Sequence, residues 1–497
     1  MKADRSKFPA LPADLPQGAQ LNFDARRQVY YVFTEKMTNG VTKRTSIGSL
    51  YANGTFKYSK RYLQAQQIEA LEKESKQLKR QLDAGAKKQS KAAKDQAKAA
   101  SDRVDEALKQ SNLDKRADNA SIRINGIILL VALAMLARAN DCEDIANFNQ
   151  AHHAELVALF GNNAPPEVLH RETLRRILFL AEPQSMAEFI SCMVKPILLE
   201  SKNDELRVIA ADGQACRATG RREAGAAKLR GVYYIMNLWD TNANVCVAQS
   251  VIPKKKNEIS ILPELLKGLD VCGAVITADA LNTQKKTVDA ILERKANYCL
   301  AVKDNQPTLY EQMRFRFTEA KSAQIWETAQ TETTLEHGRI ETRRVDVLPA
   351  DCLGKDLLDE WTGLASGVIV RSITFSENKV TGEKSEDARY FICSLHFRSG
   401  IARKMLTVVR AHWKIEDKLH WMLDCHFDQD RMQASDVNFI ANTSALRKLI
   451  LTLLYQEQKR VELEEGVKIS IKALRARCTN LAYALGVLAR GLRVGSS

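Results

Sequence analysis

The 497-residue chain has no cysteine pair at CxxC spacing, no apolar opening segment, and no hydrophobic run long enough to cross a bilayer. Each absence removes a class of protein. Ten cysteines scatter from Cys142 to Cys478. That pattern speaks against a zinc ribbon, a dithiol redox motif or a disulfide framework, and leaves buried, reduced thiols of a cytosolic protein. The opening MKADRSKFPALP lacks the apolar core of a signal peptide, so none is expected. The longest apolar run, Ile127 to Ala137, falls short of the ~20 residues of a membrane span and reads as a buried helix. What is abundant is positive charge, with a net +14 and a pI near 9.2. With the membrane set aside, that excess points to nucleic acid or to simple solubility. The expected location is the cytoplasm, nucleoid-associated when the chain is on DNA.

A hydrophobic share of 45% lets most of the chain fold, and at roughly 100–200 residues per domain three or more units are expected. Residues 1–62 read as a small β-meander and possible DNA-binding module. Val29, Tyr31 and Phe33 alternate along it, and Asn39-Gly40 and Asn53-Gly54 split it into three strands. Lys43, Arg44, Lys57, Lys60 and Arg61 lie among its aromatics. They suit a sheet laid on a phosphate backbone, and equally a half-buried sheet with a solvated basic face. Residues 63–118 form a Lys/Ala-rich helix or coiled-coil linker. Ile68, Leu71, Ser75, Leu78 and Leu82 carry a 3-4 spacing that supports a short coiled coil or an amphipathic helix. After Gly85, KKQSKAAKDQAKAA leaves no apolar face to bury and reads as a solvated helix or linker that offers a dimer contact. Residues 119–200 form a helical domain, 305–400 a β-rich stretch, 401–460 a helical one, and 461–497 a basic helical end.

Between these, residues 201–304 switch to strands. LRVIAAD, VYYIMNLWD and VCVAQSVIP come first, then a helix (PELLKGL), a strand (GAVITAD), a helix (TVDAILERK) and a strand (YCLAVKDNQ). Three successive strands followed by βαβ units imply an α/β fold, a mixed sheet with helices on both faces. Asp212 and Asp279 each directly follow an apolar strand, where side chains point into the crevice that holds α/β ligands. Two carboxylates completed by water and phosphate suit Mg2+, and a third on a nearby helix admits a second ion for phosphoryl transfer. Glu416 is the candidate third group. In VVRAHWKIEDKLHWMLD, residues His412, Glu416, His420 and Asp424 recur every fourth position on one helical face. Taken alone these pieces leave alternatives. A strand-terminal Asp can be a turn or cap residue, and the stripe can be a set of structural salt bridges or a zinc site, although the HExxH order is absent.

Together, and in order, the motifs resemble the insertion-sequence DDE transposases of the H-repeat-associated-protein type. VIAADGQACR is similar to the family's first-aspartate strand, and KKNEISILPELL with AVITADALNTQ to the segment ending at the second aspartate. YCLAVKDNQPTLYE resembles the Lys-x-Asn-Gln strand, HGRIETRR the basic stretch of the insertion, and RAHWKIEDKLHWMLDCHFDQD the glutamate helix. The resemblance covers about Ser121 to Leu454. It implies an RNase H-like sheet interrupted by a β-rich insertion, preceded by an all-α domain, with a basic helix and the β-meander ahead of it. It implies Asp212, Asp279 and Glu416 as catalytic metal ligands for two Mg2+ ions, with Mn2+ as a substitute. Lys303, Asn305, Gln306, His337, Arg339, Arg343, His412 and His420 are implied to border the DNA or the carboxylates. The implied partners are double-stranded DNA, both transposon terminal repeats and target, with a homodimer acting on it. The chain departs from the family at Gln214, where Lys is frequent, and at Val409 and His412, which stand at the first two positions of a Tyr-Arg-Glu-Lys signature. A non-catalytic DNA-binding derivative, and a metal-dependent nuclease without strand transfer, are the rival expectations.

Overall fold

Alternating apolar residues build a four-stranded antiparallel sheet near the N-terminus of the computed structural model, which describes residues 12–13, 15–38, 41–51, 53, 55–113, 122–201, 206–220, 231–252, 258–323, 326–336 and 339–492. The chain divides into two compact units, 1–92 and 93–497. In the first, β1 (Gln20–Asp24), β2 (Val29–Thr38), β3 (Val41–Tyr51) and β4 (Phe56–Tyr58) pair in sequence order. That is one strand more than expected. β1 is short and only partly buried, and it joins by main-chain pairing, Gln20 opposite Phe33. Tyr30 and Val32 of β2 share the buried side with Leu50, Ile47 is buried at the bulge of β3, and Val29 is buried on the opposite face. Lys43, Arg44 and Lys57 are exposed on the sheet, as are Lys60 and Arg61 just after it. Arg44 pairs with Glu35 and lies 4.8 Å over the Phe33 ring. The Asn39-Gly40 turn and Gly54 lie outside the described residues.

Helix α1 spans Lys60–Ser111. Its second half corrects the expectation of a solvated helix, because Ala97, Ala100, Val104 and Ala107 are fully buried. Alanine contributes little apolar area, yet its small side chain lets a neighbouring helix approach closely. That neighbour is α2 (Ile124–Leu136), every residue of which is buried. Helices α3 (Cys142–Phe160), α4 (Arg171–Leu180) and α5 (Pro183–Glu200) complete this helical region.

The remaining strands are β5 (Val208–Cys216), β6 (Tyr233–Asp240), β7 (Val245–Ile252), β8 (Val275–Ala278), β9 (Asn297–Val302), β10 (Glu327–Gln330), β11 (Thr334–Glu336), β12 (Arg339–Pro349), β13 (Val368–Asn378) and β14 (Lys384–Cys393). They form one mixed sheet in the order β10-β12-β13-β14-β9-β8-β5-β6-β7, with β11 on β12. Strands β5, β8 and β9 run parallel, and the other pairings are antiparallel. The β-rich stretch expected as an insertion therefore continues the central sheet, through Cys393 opposite Cys299. Both faces are covered. Ile209, Ala211, Ile276 and Ala278 share a core with Leu262 of α6 (Glu258–Leu266), Val288 of α7 (Lys285–Glu293) and Phe317 of α8 (Pro307–Ala323). A short helix, α9 (Lys355–Glu360), precedes β13.

On the other face, Val208 and Val275 pack against Ile401, Met405 and Val408 of α10 (Ile401–Ile415). Helices α11 (Trp421–Phe427), α12 (Val437–Glu465), α13 (Ile471–Arg477) and α14 (Leu481–Leu492) join a core shared with α2 and the buried half of α1. Among the described residues no single helix is long and apolar enough to cross a membrane.

Candidate active site

Strand alternation places the two aspartates. On β5, Ile209 and Ala211 face α6–α8 while Val208 and Ala210 face the opposite side, so Asp212 projects toward α10. On β8, Ile276 and Ala278 face α6–α8 and Val275 faces α10. Asp279 keeps an extended backbone, φ −68 and ψ 172, so the alternation carries it to the α10 side as well. Asp212 and Asp279 directly follow Ala211 and Ala278, which are paired in parallel register. Their Cα atoms thus fall on neighbouring strands, roughly 5 Å apart. Asp279 Oδ1 accepts from the backbone and side-chain amides of Asn282 at 3.2 and 2.8 Å, capping the turn that follows the strand.

Glu416 arrives from the facing helix. α10 ends at Ile415, and Glu416–His420 forms a π turn before α11. In a regular helix, residues four apart drift around the axis. The wider π turn takes back part of that drift, so the stripe of residues 412, 416, 420 and 424 stays on the sheet side; π turns recur at functional sites. The residues flanking Glu416 by one turn on each side touch the two aspartate strands. His412 Nδ1 meets Thr277 Oγ1 at 3.0 Å, and His420 Nδ1 lies 3.5 Å from Asp212 Oδ2. Glu416 itself is exposed at the rim. Among the described residues, no three His, Cys, Asp or Glu side chains form a closed ligand set for one ion.

Burial dominates the electrostatics. It pushes His412 down to about 4, reinforced by Arg389 and opposed by Asp279. His420 falls to about 3 through burial, then Lys448 and His412. Both imidazoles are neutral at pH 7 and act as hydrogen-bonding groups rather than charges. Partial burial and then Asp417 raise the Glu416 carboxyl, against Arg389. Burial, with Asp430 nearby, raises Asp424 to about 6.

The family model described as the transposase DDE domain matches residues 203–453, half of the chain. The chain belongs to the DDE transposase family. It is 29% identical over 341 residues to the Escherichia coli (strain K12) protein named "Putative protein YbfL", covering 68% of this chain and 86% of that one. It is 28% identical over 341 residues to the "H repeat-associated putative transposase YhhI" of the same organism, with the same coverage of each chain. A solved piggyBac transposase synaptic complex with hairpin DNA aligns over 80% of each chain at 10% identity and a TM-score of 0.36.

In this DDE-family chain the other expected residues fall into distinct places. Asn305 donates to the Ala280 carbonyl at 2.6 Å and Gln306 to the Thr283 carbonyl at 3.0 Å, so both brace the turn that starts at Asp279. Lys303 is exposed beside them. Arg339 is exposed on β12. Arg343 pairs with Glu341 and lines a cleft of about 250 Å³ with Arg389 and Trp413. The Arg389 guanidinium lies 4.4 Å over the Trp413 ring. His337 lies outside the described residues.

Sequence reasoning missed a buried polar cluster behind the site. Gln214 donates to Asp424 at 2.8 Å and to the His420 carbonyl at 3.3 Å. Asn237, opposite Asp212 on β6, bonds His420 Nε2 at 3.2 Å. Lys448 donates to the oxygens of Asn237 and Gln249. The available signals were an amide in the middle of the apolar strand YYIMNLWD and a lysine inside ALRKLILTLL.

Proposed function

We propose that this chain is a DNA transposase that cleaves transposon ends and transfers the freed 3′-OH strand to target DNA. The observation that supports it best is the placement of Asp212 and Asp279 side by side, on the sheet face covered by the helix that leads into Glu416. A three-strand meander, β5 to β7, with β8 added in parallel on β5 and β9 on β8, supports the RNase H-like reading of the core.

The donor set fits Mg2+. Hard cations take oxygen ligands, commonly one or two carboxylates with water and phosphate completing the shell. Asp212 and Asp279 supply such a pair, and Glu416 a third oxygen donor on the facing helix. When bound, two such ions make water a nucleophile at neutral pH and stabilise the departing 3′ oxygen. The chain's own groups fix the geometry. The amides of Asn282 hold Asp279, the neutral rings of His412 and His420 anchor the helix, and Asn305 and Gln306 brace the intervening turn.

Water adds to phosphorus and the 3′ oxygen leaves. That 3′-OH then attacks a target phosphate and displaces the target's own 3′ oxygen, so no protein nucleophile is needed. Arg339, Arg343 and Lys303 would grip the DNA backbone, and the N-terminal basic sheet would contact the terminal repeats. The test is cleavage of duplexes carrying the element's own ends, in Mg2+, followed by joining of a pre-cut end to a plasmid. Asp212→Asn and Glu416→Gln should abolish both while retaining gel-shift binding. Full cleavage by either folded variant overturns the reading, and cleavage without joining leaves a nuclease.

A further inference from the structure

Behind Asp212, four side chains form a line whose hydrogen-bond direction is set by groups that can act in only one way. The line begins at two backbone carbonyls, which only accept. Gln249 Nε2 donates to the Ala441 carbonyl at 2.7 Å, which turns its amide oxygen toward Lys448. Asn237 Nδ2 donates to the Ile235 carbonyl at 3.1 Å, which turns its oxygen toward the same ammonium. Lys448 has donors to offer both oxygens and is 2% exposed. Asn237 is fully buried. Its second N–H is directed at His420 Nε2, 3.2 Å away.

An amide N–H can be received only by a ring nitrogen with a free lone pair. A neutral imidazole has one such nitrogen, so its proton must sit on the other. We infer that Asn237, oriented by Ile235 and Lys448, locks His420 in the Nδ1–H tautomer, so that a donor and not a lone pair faces the Asp212 carboxylate. The lock rests on the proposed role of Asp212 and extends it. With the proton on Nδ1, the ring supports one aspartate oxygen, Oδ2 at 3.5 Å. With the opposite tautomer, two lone pairs would face each other, and either the ring or the carboxylate would turn away. Asn237 and Lys448 are positioning residues. Neither reaches substrate, and both act through His420.

The tautomer can be read directly, without DNA or metal. The full-length protein is labelled with 15N-histidine, and the His420 signals are identified by their loss in His420→Gln. The expected spectrum has a protonated Nδ1 and an unprotonated Nε2. Asn237→Asp presents an oxygen to both neighbours, keeps an ionic partner for Lys448, and should move the proton to Nε2. Cleavage of transposon ends should then fall by roughly 10–100-fold, the usual cost of disturbing a residue that orients a ligand, with the melting transition retained. A wild-type ring protonated on Nε2 overturns the inference whether or not the variant folds. So does an unchanged tautomer in Asn237→Asp, or a switched tautomer with undiminished cleavage. Correct tautomers in a protein that never cleaves DNA would uphold the lock and sink the transposase reading instead.

Discussion

Thr277→Val isolates the contact that seats the glutamate helix on the sheet. Thr277 is 2% exposed on β8, two residues before Asp279, and its hydroxyl meets His412 Nδ1 at 3.0 Å. Valine keeps the volume and β-branching, so the strand is undisturbed and only the hydroxyl is lost. A typical hydrogen bond contributes about 1 kcal/mol, and a buried group left unsatisfied costs about 1–3 kcal/mol. The ring nitrogen of His412 falls in the second category, so the expected destabilisation is about 2 kcal/mol. Glu416 lies one turn beyond His412, and a helix released there shifts the carboxylate. A displacement of about 1 Å costs on the order of 100-fold in a positioned reaction. Urea denaturation gives the first quantity. Metal-dependent end cleavage, measured where the variant is fully folded, gives the second. Thr277→Ser should restore both. A stability loss with full cleavage would show that the contact only stabilises the fold, and the positional argument would fail.

Glu457, 2% exposed in its side chain, accepts from Arg460, Arg490 and Tyr483. Burial alone would raise its carboxyl, but these partners outweigh burial and hold it below 4.5. A depressed carboxylate stabilises the fold above its unfolded pKa and loses that contribution as pH falls through the folded value. Glu457→Gln should therefore cost about 3 kcal/mol at pH 7, as for a broken buried ion pair, and the gap to wild type should close below pH 4.5. Equal gaps at both pH values would contradict this. Gly126→Ala drives a methyl into the Asn163 carbonyl and should lower the melting temperature, with a cost of about 1–3 kcal/mol or more; an unchanged transition refutes the close packing of α2. Replacing Lys43, Arg44, Lys57, Lys60 and Arg61 by alanine should flatten the log–log salt dependence of end binding by up to about 4.5, at roughly 0.9 per phosphate contact. An unchanged slope assigns those charges to solvent.

Much of the central sheet could be read from the sequence because its strands are buried on both sides. VIAA and AVIT are continuous apolar runs, and the polar residue that ends each is conspicuous. The four-residue recurrence from His412 to Asp424 was visible for the same reason, as polar groups on an apolar helix. The π turn was not, since it lies in the backbone hydrogen bonding and not in residue type. The buried face at Ala97, Ala100, Val104 and Ala107 went unread because alanine carries little weight in any hydrophobic pattern. That β14 would pair with β9 is a long-range register, which local alternation does not encode. The Lys448–Asn237 contact joins single positions 211 residues apart, and neither residue stands in a motif.

We propose that Asp212, Asp279 and Glu416 hold the divalent ions of a strand-cleaving site. Anomalous scattering from crystals of the full chain with a pre-cut transposon end and Mn2+ tests it most directly. Manganese is expected on carboxylate oxygens of Asp212 and Asp279, with Glu416 and the terminal 3′ oxygen completing the site. Manganese elsewhere, or those three carboxylates turned away from a bound DNA end, would contradict it.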